Sequence, residues 1–590
     1  MSETPGSSCR EGGRLRALRA LAALASGLLL SGAFPPGRWP ELAWLALAPL
    51  LIVCRFAAPG AAFRLGILAG AAYWIVTLRW LLRLAETGTV WPVAALAWIA
   101  LALYMALYTG AFGVLASRLL RWSEGPAPYS SGPGDGGAEP AAGAGGRRLR
   151  RLALLAVVPA AWVGLEYLRS HLLTGFPWNE LGVSQFRNLV VIQIAEWGGV
   201  YAVSALLVSM NVALALAALR VLDGWRRPTL RQSSGQGRRR DVPLEFVAAV
   251  TAAALCMTWG CHRLRVLAQP EEGRPTVRVA AVQPCIPQLK KWTPDSAAEI
   301  REALGVQTER ALTLEPDLVI WPETALPTAI SVDPSGTLRT DEDTVGLLRD
   351  LFADKPVALL AGAMELIGPE KDPIWYNASV LIRDLRVTGR YRKQHLVPFG
   401  EYLPFDQCCP LIKRMAPLGF SCTPGTEPTV FRLDRPPVRF ATLICFEDIV
   451  PGLARRAVRA GAQFLVNQTN DAWFDPSALS LQHMSHCVFR CVENRVDAVR
   501  SANTGVTCVI DRRGRLELIA EDGARCAPAF KASRVAARAD REPFTFYTRH
   551  GDAVFALPCA LLALLGLILE LWSARRACRQ RARMGHESAA

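Results

Sequence analysis

Cys445 is the residue with the clearest chemical setting. It follows the apolar, β-branched run Arg439-Phe440-Ala441-Thr442-Leu443-Ile444 and precedes Phe446-Glu447-Asp448 and a helical pattern. A nucleophile at a strand-to-helix turn stands at the edge of a sheet, where backbone N–H groups can bind an oxyanion. A buried structural cysteine after a hydrophobic strand would look the same locally, and with 15 cysteines in the chain no single one stands out.

A cysteine nucleophile needs a base or a nearby charge to reach the thiolate. His395, His483 and His486 are alternative bases, but none has an evident partner in the sequence. A carboxylate paired with a lysine serves better. Glu323 closes the strand-like Leu318-Val319-Ile320-Trp321-Pro322-Glu323, and Lys393 lies in Tyr391-Arg392-Lys393-Gln394-His395-Leu396-Val397-Pro398-Phe399-Gly400-Glu401. A glutamate can take the thiol proton and return it to a leaving group. A lysine ammonium can stabilise the thiolate and the tetrahedral oxyanion. Each is an ordinary surface residue when viewed alone. Of the 66 cations, however, seven are lysine and the remaining 59 arginine, so a lysine here points to a compact charge being required. None of the seven histidines falls in an HExxH or Cys/His metal spacing, and no metal or other cofactor is expected.

The elements that must position these residues read as a layered α/β domain. Strands are expected at Thr276–Val282, Asp317–Trp321, Val357–Ala361, Ala378–Ile382, Phe440–Ile444 and Phe464–Asn467, and helices at 295–313, Val450–Gly461 and 480–500. Val506–Ile510 and Leu516–Ile519 flank Asp511-Arg512-Arg513-Gly514, a hairpin signal. Strand–helix alternation over residues 265–548 gives a core large enough to fold as one unit.

The rest of the 590-residue chain reads as membrane. Half of the chain is hydrophobic, which excludes disorder as its main state. A span needs roughly 20 mostly apolar residues to cross a ~30 Å core. Eight are expected: about 17–34, 41–57, 61–82, 90–116, 152–170, 190–220, 244–264 and 551–573. The first follows Arg14, Arg16 and Arg19 like a signal peptide, but six more spans follow it before the α/β domain and it is read as uncleaved. This divides the chain into a membrane domain (1–264), the α/β domain (265–548), and a last span with a basic tail (549–590). Residues 123–146 include 12 Gly or Pro and read as a flexible linker.

The net charge of +15 is uneven: residues 266–548 carry 34 Lys+Arg and 35 Asp+Glu, leaving +16 on the flanks. There, arginine clusters alternate with the spans, at the N-terminus, at 118–151, at 220–240 and at 575–583. With eight spans these fall on one side, the cytoplasmic one, and the α/β domain faces outward. The charge thus reports topology, and no nucleic-acid partner is expected. Few polar residues interrupt the spans, against a transporter.

Together, Trp321-Pro322-Glu323, Lys393 to Glu401, Ile444-Cys445-Phe446-Glu447 and Asn470-Asp471-Ala472-Trp473-Phe474 resemble the nitrilase superfamily. With the span layout and the loop motif Thr174-Gly175-Phe176-Pro177-Trp178-Asn179, the chain more narrowly resembles the apolipoprotein N-acyltransferases of bacterial inner membranes. The resemblance implies a multi-pass helical membrane domain carrying an α-β-β-α sandwich. It implies a catalytic triad at Glu323, Lys393 and Cys445, supporting carboxylates at Glu401 and Glu447, and substrate contacts at Trp292, Phe446 and Trp473. The implied reaction moves an acyl chain from a phospholipid donor, through a cysteine thioester, to the α-amine of a diacylglyceryl apolipoprotein, by a monomer in the bilayer whose catalytic domain faces the periplasm. The alternative is a membrane-anchored amide hydrolase of the same superfamily. The family's usual Gly after Phe474 is replaced by Asp475, and Ser501-Ala502-Asn503-Thr504-Gly505 differs mildly from its pattern.

Nine cysteines would lie outside, and an oxidising compartment permits disulfides there. Cys408 or Cys409 could pair with Cys422, while Cys445 must stay free. The apolar, dibasic stretch 410–420 reads as a mobile arm over the lipid access, with a buried loop as the other reading.

Overall fold

The computed structural model describes residues 5–123, 141–226, 243–269, 273–291, 293–369, 371, 373–404, 421–519 and 527–587. Its first half is helical: α1 (Pro5–Gly32), α2 (Ala48–Arg55), α3 (Pro59–Thr77), α4 (Trp91–Trp122), α5 (Ala141–Arg169), α6 (Leu189–Ile192), α7 (Ala195–Arg226) and α8 (Leu244–Ala268). Seven helices among the described residues are long and apolar enough to cross a membrane: α1, α3, α4, α5, α7, α8 and the last helix of the chain.

The expected span at 41–57 is not such a helix. Its residues form a short 3-10 turn, Pro40–Trp44, and then the eight-residue α2. Irregular backbone at membrane depth is tolerated only where protein satisfies its polar groups. That is the case here: Asn211 of α7 accepts from the amides of Leu47 (2.8 Å) and Ala48 (3.1 Å) and donates to the Ala43 carbonyl (2.9 Å), and Ser26 accepts from Leu50 (2.9 Å). The broken stretch nevertheless runs through the bundle. Pro35 accepts from Gln482 of the α/β unit at one face, and Ala57 accepts from Ser117, near the C-terminal end of α4, at the other. Among the described residues this stretch joins α1 to α3 as a broken segment beside the seven long helices.

The linker expected over 123–146 is shorter, because its last six residues already belong to α5; residues 124–140 lie outside those described. Helices approach closely through small residues: a Cβ on Gly66 would lie 2.4 Å from the Thr109 carbonyl oxygen.

The α/β unit contains β1 (Thr276–Gln283), α9 (Ala297–Leu312), β2 (Leu318–Ile320), the small ribbon β3 (Ser331–Val332) and β4 (Leu338–Arg339), α10 (Glu342–Phe352), β5 (Ala358–Ile367), β6 (Ile374–Arg383) and β7 (Arg386–Arg392). Then come β8 (Phe431–Asp434), β9 (Pro437–Ile444), α11 (Pro451–Arg459), β10 (Phe464–Thr469), α12 (Leu479–Asn494), β11 (Asp497–Ala502), β12 (Cys508–Ile510), β13 (Leu516–Leu518) and β14 (Ala529–Ala536). The short α13 (Phe546–His550) leads into α14 (Ala553–Glu587), the last membrane helix.

The strands make two six-stranded sheets, ordered β14-β1-β2-β5-β6-β7 and β13-β12-β11-β10-β9-β8. Their inner faces share one core, with Val279, Ile320 and Leu360 packing in the same cluster as Phe440, Phe464 and Val499. Helices α9 and α10 cover the first sheet. Helices α11 and α12 cover the second, and their core is continuous with that of the membrane bundle. The result is an α-β-β-α sandwich, one helical layer of which is seated on the bundle. The 506–519 hairpin forms as expected, through antiparallel β12 and β13. The helix expected over 480–500 ends at Asn494, where Arg495 takes a left-handed conformation (φ 53°), and 497–502 is instead a buried strand parallel to β10.

Candidate active site

The site lies where the C-terminal ends of β2 and β9 and the loop after β7 meet. Glu323 is buried in the turn after β2, and this turn presses on β5: a Cβ on Gly362 would lie 2.2 Å from the Pro322 carbonyl oxygen and 2.8 Å from the Glu323 Cα. Lys393 follows β7 and is fully buried, its amide bonded to the Asn377 carbonyl of β6 (2.9 Å). Its Nζ donates to Glu401 Oε1 at 2.9 Å and to Glu323 Oε1 at 3.3 Å. Burial alone would lower the pKa of this ammonium, but Glu401, Glu323 and Cys445 hold it well above its ordinary value.

Cys445 opens the 3-10 turn after β9 with φ 51°, a left-handed conformation a non-glycine residue adopts under constraint. Its carbonyl is held by Asn467 Nδ2 (3.1 Å) and by the His483 ring (3.2 Å). Burial pushes the thiol pKa up, Glu323 and Asp471 push the same way, and Lys393 pulls down. Among the carboxylates, Glu323 raises it most strongly.

Glu401 and Glu447 support this arrangement from two sides. Glu401 also accepts from the Val397 amide (2.8 Å), closing its own loop. Glu447 is fully buried and accepts four donors: the Tyr391 hydroxyl and the amides of Gln394, His395 and Ile444. It thereby ties the β9 end to the loop that carries Lys393.

Phe446 is half-buried and stacks on His395 (centroids 5.8 Å), Phe176 (6.1 Å) and Trp178 (6.3 Å). The nucleophile turn is thus in contact with the Thr174–Asn179 loop of the membrane domain. Trp473 is half-buried in the turn Asp471–Trp473, and Asp475, where the family has Gly, accepts from Ser480 (2.6 Å). Trp292, Cys408, Cys409 and the 410–420 arm lie outside the described residues. Cys422 is a free, buried thiol.

The histidines serve other ends. His483 faces Asp448 (2.8 Å) and Asp471 (3.0 Å), which also bind Arg500. His486 accepts from the Asn179 amide (3.3 Å) on the membrane side, and His395 is half-buried, stacked on Phe446, with its pKa lowered by desolvation and by Lys393.

Two residues escaped the sequence reading. Asn377 donates at 2.8 Å to both Glu323 and Glu401, and a lone Asn in a strand gives no signal of this. Lys291 is buried with Nζ 2.8 Å from the Glu323 carbonyl. The scarcity of lysine that marks Lys393 marks Lys291 equally.

Residues 26–213 match the family model described as the apolipoprotein N-acyltransferase N-terminal domain, and residues 278–524 match the carbon-nitrogen hydrolase model. The chain is 36% identical over 545 residues to an apolipoprotein N-acyltransferase of Geobacter metallireducens, spanning 91% of this chain and 92% of that protein. It is 31% identical over 555 residues to one of Gloeobacter violaceus, spanning 93% of each. Among solved structures, Saccharomyces cerevisiae Nit3, a member of branch 10 of the nitrilase superfamily, aligns at 18% identity and TM-score 0.32 over 44% of this chain and 90% of its own. Sandwich and bundle together define a membrane-borne protein with a carbon-nitrogen hydrolase domain. The chain belongs to the apolipoprotein N-acyltransferase family.

Proposed function

We propose that this enzyme N-acylates lipoproteins by ping-pong transfer, with Cys445 as nucleophile, Glu323 as base and acid, and Lys393 as oxyanion partner. The observation that carries the reading is the Glu323–Lys393 pair, 3.3 Å apart and both acting on the half-buried Cys445 thiol. Glu323 takes the thiol proton as Sγ attacks the ester carbonyl carbon of a phospholipid acyl chain. The oxyanion faces Lys393 Nζ and a backbone N–H. The ester C–O bond then breaks, Glu323 returns the proton to the departing lysophospholipid oxygen, and a thioester remains. The α-amine of a diacylglyceryl-cysteine attacks that thioester next. An amide forms, the C–S bond breaks, and the surplus amine proton passes through Glu323 to the thiol. Membership of the N-acyltransferase family favours this over the hydrolase alternative.

The aromatic contact of Phe446 with Phe176 and Trp178 supports lipid access from the bundle side, with Trp473 and Trp292 as further substrate contacts. The arginine-rich face of the bundle lies in the cytoplasm on this reading, and the α/β unit faces the periplasm from the inner membrane.

The test replaces Cys445 with Ala, supplies isotope-labelled phospholipid, and seeks acyl-enzyme by intact-mass spectrometry. The native chain is expected to gain one acyl group on the Cys445 peptide; label persisting on the Ala variant would overturn the assignment.

A further inference from the structure

We propose that Lys291 is a positioning residue of this active site, holding the main chain of Glu323 and supplying the second positive charge against which Cys445 ionises. The inference rests on Cys445 being the nucleophile. Lys291 is 6% exposed, and its Nζ donates to the Glu323 carbonyl at 2.8 Å. Among the described residues no carboxylate forms an ion pair with it. A buried ammonium bonded only to a neutral oxygen is costly, and packing alone would favour an apolar side chain.

The charge balance gives it a purpose. Lys393 is held between two carboxylates, Glu401 at 2.9 Å and Glu323 at 3.3 Å. Those three groups sum to one negative charge beside a thiol that must itself become negative, and a like charge opposes that ionisation. The other charged groups near the thiol largely offset one another: Asp471 and Asp448 face Arg500 and His483, and Glu447 on the nucleophile's own turn is engaged by four donors. Lys291 brings the sum of the Lys393, Glu401 and Glu323 group to zero. Consistent with this, burial lowers its pKa to about 8, while Glu323 and Cys445 pull in the opposite direction. The same ammonium fixes the turn from which the Glu323 carboxylate reaches the site.

The test is the rate of Cys445 alkylation by iodoacetamide and of acyl-enzyme formation at pH 7, where Lys291 is charged, in the purified full-length chain, read by peptide mass spectrometry. Two variants are compared: Lys291→Gln keeps a donor but no charge, and Lys291→Met keeps neither. In each variant that melts cooperatively, both rates are expected to fall about tenfold. Native rates at pH 7 in either folded variant overturn the proposal. If neither folds, Lys291→Arg decides. The native rate of acyl-enzyme formation is expected to bend near pH 8, and that bend should vanish with Arg; its persistence overturns the proposal. Failure of the nucleophile assignment is read separately, by acyl label on native protein residing outside the Cys445 peptide.

Discussion

Glu447 accepts the main-chain amide of Gln394 at 2.7 Å, and this bond joins the Cys445 turn to the Lys393 loop. The other donors to Glu447 are the Tyr391 hydroxyl and the amides of His395 and Ile444. A glutamine there would present an NH2 group to donors that need an acceptor. Glu447→Gln is expected to cost about 3 kcal/mol of stability in thermal melts and to slow acyl-enzyme formation about 100-fold, because Lys393 and Cys445 lose their common anchor. Native rates in this variant would show that the anchor is dispensable.

Gly362 is the second test of positioning. An Ala Cβ would meet Pro322 O at 2.2 Å, so the Glu323 turn must move. Gly362→Ala is expected to lose about 1–3 kcal/mol through overpacking and about 100-fold in acyl-enzyme formation through displaced Glu323. Single-turnover kinetics with labelled phospholipid, set beside a melting curve, separates the two effects.

His483 predicts a pH dependence of stability. Burial lowers its pKa, but Asp448 and Asp471 raise it to about 9, above its ordinary value. A group whose folded pKa is raised binds its proton more tightly when folded, so its contribution is full below the unfolded pKa and lost as pH rises through the folded one. The melting temperature should therefore decline by several degrees between about pH 6.5 and pH 9. In His483→Gln that decline should flatten, with a lower melting temperature at pH 6. An unchanged slope would mean His483 stays neutral.

Gln482 fastens the sandwich to the bundle. Its Oε1 accepts the indole N–H groups of Trp80 (3.2 Å) and Trp178 (2.9 Å), and its Nε2 donates to Pro35 (2.6 Å) and Thr77 (3.1 Å). Gln482→Leu strands four buried groups, at a cost of about 1–3 kcal/mol for each that water cannot reach. Acyl-enzyme formation is expected to fall as well, because Trp178 stacks on Phe446 beside Cys445. Alkylation of Cys445 by a water-soluble reagent in the folded variant should be largely retained. Equal losses in both would place the defect in the thiol rather than in lipid access.

The short motifs made the reactive groups legible. Trp321-Pro322-Glu323, the Lys393 loop and Ile444-Cys445-Phe446-Glu447 each combine a chemically capable side chain with a strand end, and the fold brings those ends together. What stayed hidden was long-range. Asn377 bridges Glu323 and Glu401 from strand β6, and nothing near it in sequence signals two carboxylates. Residues 497–500 follow the helix with no Gly or Pro to mark its end, yet parallel pairing with β10 makes them a strand, and fully buried strands lack the alternation that betrays exposed ones. The stretch 41–57 met the hydropathy test for a span, which does not report whether its backbone is continuous.

That broken stretch also bears on how the protein is made. Its irregular backbone at Ala43, Leu47 and Ala48 is completed by Asn211, which stands 164 residues after Leu47 in the chain. A nascent chain emerging N-terminus first exposes residues 40–55 to the insertion machinery long before α7 exists, and hydrocarbon cannot solvate bare amides and carbonyls in the interval. The second crossing therefore adopts its final form only after α7 arrives, which makes the maturation of the bundle a late, cooperative event rather than a helix-by-helix one.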